Sequence, residues 1–279
     1  MGYQELQSAL KEMREAGKEV KVKLNSKKEV LEEEYRRLTE KKGKEKRVNG
    51  VVIHRGVSTL DNKTEIVVIA TGINKKTSNP KTGEMIQTWV IVENTYPTEA
   101  IEKGKDEGIC GNCPHRKNKE TGKRTCYVNI MGVASVYRAY KKGQYPEYKE
   151  TEHGEMFEGK KIRFGSYGDP VLIPIEVVEH LKGKVKGHTG YTHQWRNPKY
   201  EEYKKYYMAS VDTLIDFCEA DTEGWSTFRV LPQGVESTGI ACKGGVKTDC
   251  NRCSLCSGNE DRQKHVSIHA HGMNGKLVK

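Results

Sequence analysis

The stretch that decides the fold is a short strand followed by a tight turn, Ile162-Arg163-Phe164 and then Gly165-Ser166-Tyr167-Gly168-Asp169-Pro170. Two glycines and an Asp-Pro pair after an apolar run are typical of a strand that ends in a turn. Residues 175–181 follow with apolar side chains at helical spacing, so this part of the chain is predicted to form one strand–helix unit.

Similar units extend in both directions along the chain. Downstream, strand and helix patterns alternate as far as residue 271, and upstream three strand-like apolar runs end at Ile53, Ile69 and Val92. A helical pattern also runs from Cys126 to Tyr140. Because alternating strands and helices favour parallel βα units, we predict an α/β fold. Its form is a complete or partial parallel βα barrel over residues 51–279, with two cysteine-rich loops.

The first 42 residues are predicted to form a separate helical module. Apolar residues recur at helical spacing up to Gly17, alternate from Val20 to Leu24, and recur at helical spacing again from Val30. This order of helix, extended segment and helix resembles the SAP and helix–extended-loop–helix modules, which implies nucleic-acid binding. A plain helical hairpin used for packing is the alternative. Residues 43–50 are predicted to be a charged linker.

The charge of the chain favours a polyanionic partner. The 279 residues carry a net charge of +10, with a pI near 9.0, and nucleic acid is the commonest polyanion. No apolar stretch approaches the roughly 20 residues that a membrane span needs, and the N-terminus has no apolar signal core. We expect a cytoplasmic protein that binds DNA or RNA and does not enter a membrane. Its oligomeric state is left open.

Seven of the eight cysteines fall into two groups. The first set is Cys110, Cys113 and Cys126, and the second set is Cys242, Cys250, Cys253 and Cys256. Spacings of the C-x-x-C type bring thiolates onto one metal ion or cluster. Cys218 stands alone in an apolar helical pattern and is expected to be a core residue.

The metal at each set is left open by the spacing. The four thiols of the second set can hold a 4Fe–4S cluster or one zinc ion. In the first set, His115 can complete a Cys₃His zinc site, or three thiolates can hold a 4Fe–4S cluster with one iron open to a substrate or cofactor. One or two 4Fe–4S clusters are therefore expected, with zinc as the alternative.

Polar side chains occur where the predicted strands end. In parallel barrels, the carboxyl ends of the strands carry the catalytic groups. The candidates for catalysis are Tyr167, Asp169, His193, Asp212 and Arg229.

The order of these parts resembles that of radical S-adenosylmethionine enzymes, in a divergent form. The strand to Val92, the first cysteine set and the helix to Tyr140 are similar to that family's strand, cluster loop and helix. Two and then twelve residues separate these cysteines, where the family has three and two. The turn at Phe164–Pro170 resembles the family's Gly-Gly-Glu-Pro-like motif, and Ser210-Val211-Asp212 resembles its ribose-contacting segment. The resemblance implies binding of S-adenosylmethionine by Asp169, Ser210 and Asp212, and an auxiliary cluster at the second set.

A second resemblance concerns uncharacterised phage-encoded cysteine-rich proteins and covers about residues 70–275. It is carried by Cys110–Arg116 together with Cys126–Asn129, by Gly190–Trp195 and by Thr248–Cys256. It implies a phage or mobile-element setting, and hence the host cytoplasm, but no chemistry.

Several functions are compatible with these patterns. The first is an iron–sulfur, radical S-adenosylmethionine-like enzyme acting on nucleic acid. The second is a non-catalytic, zinc-structured DNA- or RNA-binding protein. The third resembles the tRNA-guanine transglycosylases and uses Asp169 and Asp212 for base exchange on DNA or tRNA. A fourth is a rolling-circle nickase that uses His269 and His271.

Overall fold

The computed structural model describes residues 1–39, 48–74, 79–237, 239–244 and 247–270. The chain divides into two compact units, Met1–Arg47 and Val48–Lys279. Residues 43–47 of the predicted linker, and His271, lie outside the described residues. Gly50, the last residue of that linker, is the first residue of a strand.

The first unit contains two helices, α1 (Tyr3–Glu15) and α2 (Lys28–Thr39). Leu6 and Leu10 of α1 pack against Leu31 of α2, and the segment between the helices covers this small core. Glu34 is buried on α2, where it accepts hydrogen bonds from the backbone N–H of Lys21 at 2.6 Å and from the Arg37 guanidinium at 2.7 Å. The unit thus consists of a helix, a connecting segment without a regular strand, and a second helix.

The second unit is a mixed α/β structure with ten strands in its described residues. They are β1 (Gly50–Val57), β2 (Glu65–Thr71), β3 (Ile86–Val92), β4 (Lys161–Tyr167), β5 (Gly187–Thr189), β6 (Tyr191–Thr192), β7 (Met208–Val211), β8 (Thr227–Leu231), β9 (Ile240–Ala241) and β10 (His265–His269).

Helices and helical turns connect these strands. The α-helices are α3 (Pro97–Glu102), α4 (Glu107–Cys110), α5 (Ile130–Lys141), α6 (Glu150–His153), α7 (Ile175–Lys184), α8 (Leu214–Thr222) and α9 (Cys250–Cys253). Three 3₁₀ segments lie at Gly154–Phe157, Pro170–Leu172 and Pro198–Lys205. None of the helices in the described ranges is both long and apolar enough to cross a bilayer.

The strands form two five-stranded sheets in which parallel pairing predominates. The first sheet has the order β1-β2-β3-β4-β5, antiparallel up to β3 and parallel from there. The second has the order β6-β7-β8-β10-β9 and is parallel throughout. The predicted α/β class with parallel units is confirmed at this level.

The main apolar core of this unit contains residues of both sheets and of the helices, and a smaller cluster consists of Met208, Cys256 and Val266. Trp225, Tyr207, Phe157 and Phe164 are the largest fully buried side chains of the main core. Because the strands are buried along most of their length, polar side chains collect where they end. That edge carries the candidate site.

Candidate functional site

One cavity of about 200 Å³ lies at the carboxyl ends of the parallel strands. The cavity is lined by residues near or just after the C-terminal ends of five strands, β4, β6, β7, β8 and β10. These strand-end residues are Tyr167, Asp169, His193, Ser210, Val230, Ile268 and Ala270. Since the carboxyl ends of parallel strands share one edge, residues far apart in the chain meet here.

The first cysteine set lies on the wall of this cavity. Cys110 ends α4, and the N–H of Cys113 donates to its carbonyl at 3.2 Å. A short hairpin, in which Lys117 pairs with Arg124, returns the chain so that the N–H of Cys126 donates to the His115 carbonyl at 2.9 Å. The hairpin explains how twelve intervening residues still leave the three cysteines on one cavity wall.

The second set lies partly on the same wall. Cys242 follows β9 and donates its N–H to Ser267 at 2.8 Å, while Cys250 starts α9 and donates its N–H to the Lys81 carbonyl at 2.8 Å. Both residues line the cavity that the first set lines. Cys256 is buried, and Cys253 is exposed.

Burial makes most of these thiols weak acids. It raises the pKa of Cys110 and of Cys126, and the neighbouring thiols of the first set raise that of Cys110 further. In the second set, burial raises the pKa of Cys250, and it raises that of Cys256 to about 12. All eight cysteines are free thiols. A bound cation is the ordinary means of stabilising several thiolates at such sites.

The sulfur atoms are not arranged around one zinc ion. Four ligands of a tetrahedral zinc ion at a Zn–S distance of 2.3 Å place their sulfurs about 3.8 Å apart. Among the described residues, the one group of three His, Cys, Asp or Glu ligand atoms that lie mutually within 4.8 Å is His115, His193 and Asp212. Neither cysteine set meets that spacing.

His115, Asp212 and His193 form a compact cluster beside the first cysteine set. His115 Nε2 lies 2.8 Å from Asp212 Oδ1, and His193 Nε2 lies 3.7 Å from Asp212 Oδ2. The Thr125 hydroxyl lies 2.8 Å from His115 Nδ1, and the Cys113 sulfur lies 3.8 Å from His193 Nε2. The sequence pointed to His115 as a partner of the cysteines, whereas the structure places both of its ring nitrogens against Asp212 and Thr125.

These contacts set the protonation of the cluster. Burial works against the charged forms, but the two imidazoles hold the pKa of Asp212 below its usual range. Burial likewise opposes protonation of His193, yet the nearby Cys113 and Asp212 raise its pKa well above the ordinary value. These contacts therefore favour the ionised form of the Asp212 carboxyl group.

Asp169 connects three parts of the site. Its N–H donates to the Ile109 carbonyl at 2.7 Å, next to Cys110. Its carboxylate accepts from the N–H of His193 at 3.0 Å and from the N–H of Val171 at 3.2 Å. Burial raises the pKa of Asp169, and hydrogen bonds from Thr192 and His193 oppose that rise. Asp169 lines the cavity, but its carboxylate is largely engaged by the chain itself.

The remaining predicted residues differ in their placement. Tyr167 is 4% exposed, lines the cavity, and has no hydrogen-bond partner for its hydroxyl in the described part of the chain. Ser210 is buried and lines the cavity. Arg229 is buried between Phe228 and Val230, which both line the cavity, so the alternation of β8 turns Arg229 to the opposite face. The structure does not bring Arg229 to the cavity.

The sequence patterns did not identify a group of cationic and aromatic residues in the cavity. Arg163 donates to the Tyr127 hydroxyl at 2.7 Å and lies 5.3 Å above the Tyr191 ring. Lys81 lies 6.0 Å above the Tyr127 ring, and the Tyr191 and Phe228 rings are 4.4 Å apart. The one available signal was a charged residue, Arg163, in the middle of an apolar strand.

His269 ends β10 and lies 2.8 Å from the Val235 carbonyl, outside the cavity lining. Its proposed partner in the nickase reading, His271, falls beyond the part of the chain that the structure describes.

Comparisons with family models, with curated proteins and with solved structures gave no match for this chain.

Proposed function

We propose that this protein is an iron–sulfur enzyme of the radical S-adenosylmethionine-like kind that acts on nucleic acid. The observation that carries the proposal is that both cysteine sets contribute to the wall of one cavity at the carboxyl ends of parallel strands. A purely structural metal site needs no cavity, whereas a reactive centre needs room for a substrate beside it.

A partial parallel βα barrel is the scaffold that we propose for this site. Only Gly190 separates β5 of the first sheet from β6 of the second. Its carbonyl accepts from the N–H of Met208 at 3.0 Å, beside the pairing of β6 with β7. Residues from both sheets line the cavity, as expected of strands that curve around a common axis.

The three thiols of the first cysteine set fit a 4Fe–4S cluster better than they fit a single zinc ion. The thiols of Cys110, Cys113 and Cys126 influence one another electrostatically, but they are not mutually within 4.8 Å. A 4Fe–4S cluster spreads its thiolates over several irons and holds them further apart than one zinc ion does. The buried Tyr167 hydroxyl, which faces the same cavity without a partner in the described residues, is a polar atom that a bound group can satisfy.

A bound cluster would supply one-electron chemistry, and S-adenosylmethionine is the cofactor that we propose beside it. The chain positions the reactants. Ser210 and Tyr167 offer hydroxyls to the cavity, and Asp169 holds the ends of β4 and β6 against the cysteine loop. The second set would hold an auxiliary cluster.

Nucleic acid is the substrate class that the cavity favours. Lys81, Arg116, Arg124 and Arg163 line it, against the two carboxylates of Asp106 and Asp169. Arg116 pairs with Asp106 at 3.0 Å, which leaves a positive balance for a phosphate group. Tyr127 is 57% exposed beside Arg163, and an exposed ring next to cations is suited to stacking on a base.

The reducing cytoplasm is the compartment that we propose, in the host cell if the gene belongs to a phage. Its support is that seven of the eight cysteines fall into two groups with C-x-x-C spacings, which in a reducing compartment indicate metal binding and not disulfides.

Metal analysis of three variants tests the proposal. The protein is purified without oxygen, and iron, sulfide and zinc are measured in the parent chain, in Cys113→Ser, in Cys250→Ser and in Cys218→Ser. Cys218 is exposed, so the expectation of a core residue is wrong; because it belongs to neither set, Cys218→Ser is the matched control. We expect about four to eight irons per chain with equal sulfide. Each of the first two variants should lose one cluster, and the control should lose none.

A zinc-structured binding protein is the second candidate. The N–H of Gly244 lies 3.5 Å from the Cys242 sulfur, a contact that suits either metal. A colourless protein that holds one or two zinc ions and takes up no cluster on anaerobic reconstitution would favour this candidate over the enzyme. Base exchange through Asp169 and Asp212 has no comparable support, because the Asp169 carboxylate already accepts hydrogen bonds from two backbone N–H groups.

A further inference from the structure

The cluster of His115, Asp212 and His193 joins three distant parts of the chain. His115 lies between Cys113 and Cys126 of the first cysteine set, His193 follows β6, and Asp212 follows β7. His115 and Asp212 are 97 residues apart in sequence, yet their side chains meet at 2.8 Å. Such convergence of two imidazoles and one carboxylate at the mouth of a cavity is not required by the packing of the strands.

The donor atoms are close to the spacing of ligands around one metal ion. Neighbouring ligands of a six-coordinate ion with bonds near 2.1 Å lie about 3 Å apart. The two imidazole–carboxylate distances are 2.8 and 3.7 Å, and all three donor atoms lie within 4.8 Å of one another. The His115 and His193 rings meet edge to face, with centroids 5.7 Å apart and planes at 72°. Their nitrogens can therefore converge on one point from different directions.

A plain ion pair explains only half of this cluster. His115 Nε2 lies within hydrogen-bond reach of Asp212 Oδ1, whereas His193 Nε2 lies 3.7 Å from Asp212 Oδ2, beyond that reach, and its other neighbour is the Cys113 sulfur at 3.8 Å. A cation between the three donors would fill that gap. The Thr125 hydroxyl, 2.8 Å from His115 Nδ1, fixes that ring with Nε2 towards Asp212, as the outer partners of metal-bound imidazoles do.

We propose that His115, His193 and Asp212 bind one divalent transition-metal ion through two imidazole nitrogens and one carboxylate. The two histidines also line the cavity, so the remaining coordination positions face the space that a substrate would occupy. Two histidines and one carboxylate with open positions are the donor set of mononuclear non-haem iron sites, and manganese suits it as well. This site uses donor atoms other than the cysteine sulfurs, although the Cys113 sulfur lies 3.8 Å from His193 Nε2.

Manganese(II) is the probe that separates this site from the thiols, because Mn²⁺ prefers nitrogen and oxygen donors to thiolates. The full chain is titrated with Mn²⁺, and the free ion is counted by electron paramagnetic resonance. We expect one bound ion per chain, an affinity at least about tenfold lower in Asp212→Asn, and a loss of about tenfold in Thr125→Val. The control is His180→Gln, because His180 lies on the exposed face of α7 beside Glu150.

Three outcomes decide the proposal. One ion in the parent chain and in His180→Gln, with weakened binding in both site variants, supports it. No stoichiometric binding, or equal binding in Asp212→Asn, overturns it. Loss of the ion in Cys113→Ser would show that the ion belongs to the first cysteine set and would also overturn it. Circular dichroism of each variant confirms folding, and iron and sulfide analysis of the same samples reports on the cysteine centres separately.

Discussion

Gly168 shows how closely the chain is packed where β4 turns into the cavity wall. Its φ is +72°, and an added Cβ would lie 2.7 Å from Val90 Cβ and 2.8 Å from the Val90 carbonyl oxygen. Both the backbone conformation and the contact favour glycine. The turn therefore brings Tyr167 and Asp169 to the cavity only because the residue between them has no side chain.

Replacing Gly168 by alanine should destabilise the fold by about 1–3 kcal/mol. An alanine would be strained at this positive φ, and its Cβ would collide with Val90 of β3. The matched control is Gly183→Ala in α7, where an added Cβ meets nothing within 4 Å. That change should stabilise the protein by about 0.5–1 kcal/mol, since alanine is the better helix former. Urea unfolding of both variants measures the two effects, and equal shifts of their midpoints would contradict the assignment.

The types of residues in the sequence could indicate which side chains belong to the candidate site, but not which of them contact one another. Sequence spacing identified the two cysteine sets, and it selected Asp169, His193 and Asp212 as strand-end residues. It could not place Thr125 on His115, or Asp212 between two imidazoles, because those contacts join residues 10 and 97 positions apart through the tertiary fold. Arg229 was misplaced for a related reason, since one residue of strand register decides which face a side chain occupies.

Among the elements, α2 depends on a buried carboxylate. The hydrogen bond from Arg37 lowers the pKa of Glu34 to about 2, and burial opposes this only in part. A carboxyl group whose pKa is lowered by folding stabilises the folded unit at pH values above its unfolded-state pKa of 4.5. This contribution is lost as the pH falls towards the folded-state pKa of about 2. The connection between α1 and α2 is tied to this carboxylate through Lys21.

Glu34→Gln should therefore destabilise the first unit by about 1–3 kcal/mol at pH 7, while Glu33→Gln, at an exposed neighbouring position, should change little. Hydrogen exchange of peptides from residues 1–39 in the full chain measures the difference. In the parent chain, protection corrected for the intrinsic rate should fall between pH 4.5 and 3. Equal protection in both variants would contradict the role of Glu34.

Most elements could be predicted, but their ends could not. The strand patterns from residue 160 onwards correspond to strands in the structure, because apolar runs between turn residues are a strong local signal, but the run at Gly187–His193 is divided at Gly190 into β5 and β6 of different sheets. The helix expected from Cys126 begins only at Ile130, since the Asn129 side chain accepts a hydrogen bond from the N–H of Met131 and caps it there. Residues Pro198–Lys205, which lie between β6 and β7, form a 3₁₀ segment and not an α-helix. The hairpin at Lys117–Arg124 has no apolar pattern and was not predicted.

Across the whole molecule, the positively charged residues are unevenly distributed. Residues 1–39, which contain both helices, carry nine basic and eight acidic side chains, so the helices themselves have little net charge to offer a polyanion. The four cationic side chains of the cavity wall are concentrated in a smaller space. We therefore expect the cavity, rather than the helical module, to supply most of the salt-sensitive part of nucleic-acid binding.

A binding titration against salt tests this expectation. The logarithm of the binding constant for a single-stranded oligonucleotide should fall linearly with the logarithm of salt concentration. Replacing Lys81 with glutamine should reduce the slope by about one, as the loss of one phosphate contact does. Lys142→Gln, at an exposed position outside the cavity, serves as the control. Equal slopes in both variants would remove the cavity from the interface.

The cavity wall also has a consequence for how the protein matures. Its lining begins at Lys81 and ends at Ala270, so a growing chain presents the first cysteine set to solvent long before β8 and β10 exist. Since domains are synthesised from the N-terminus over many seconds, those thiols are exposed to solvent until the later strands of the cavity lining have been made. Delivery of a metal or cluster during synthesis would meet an open loop, whereas delivery after release would meet an enclosed one.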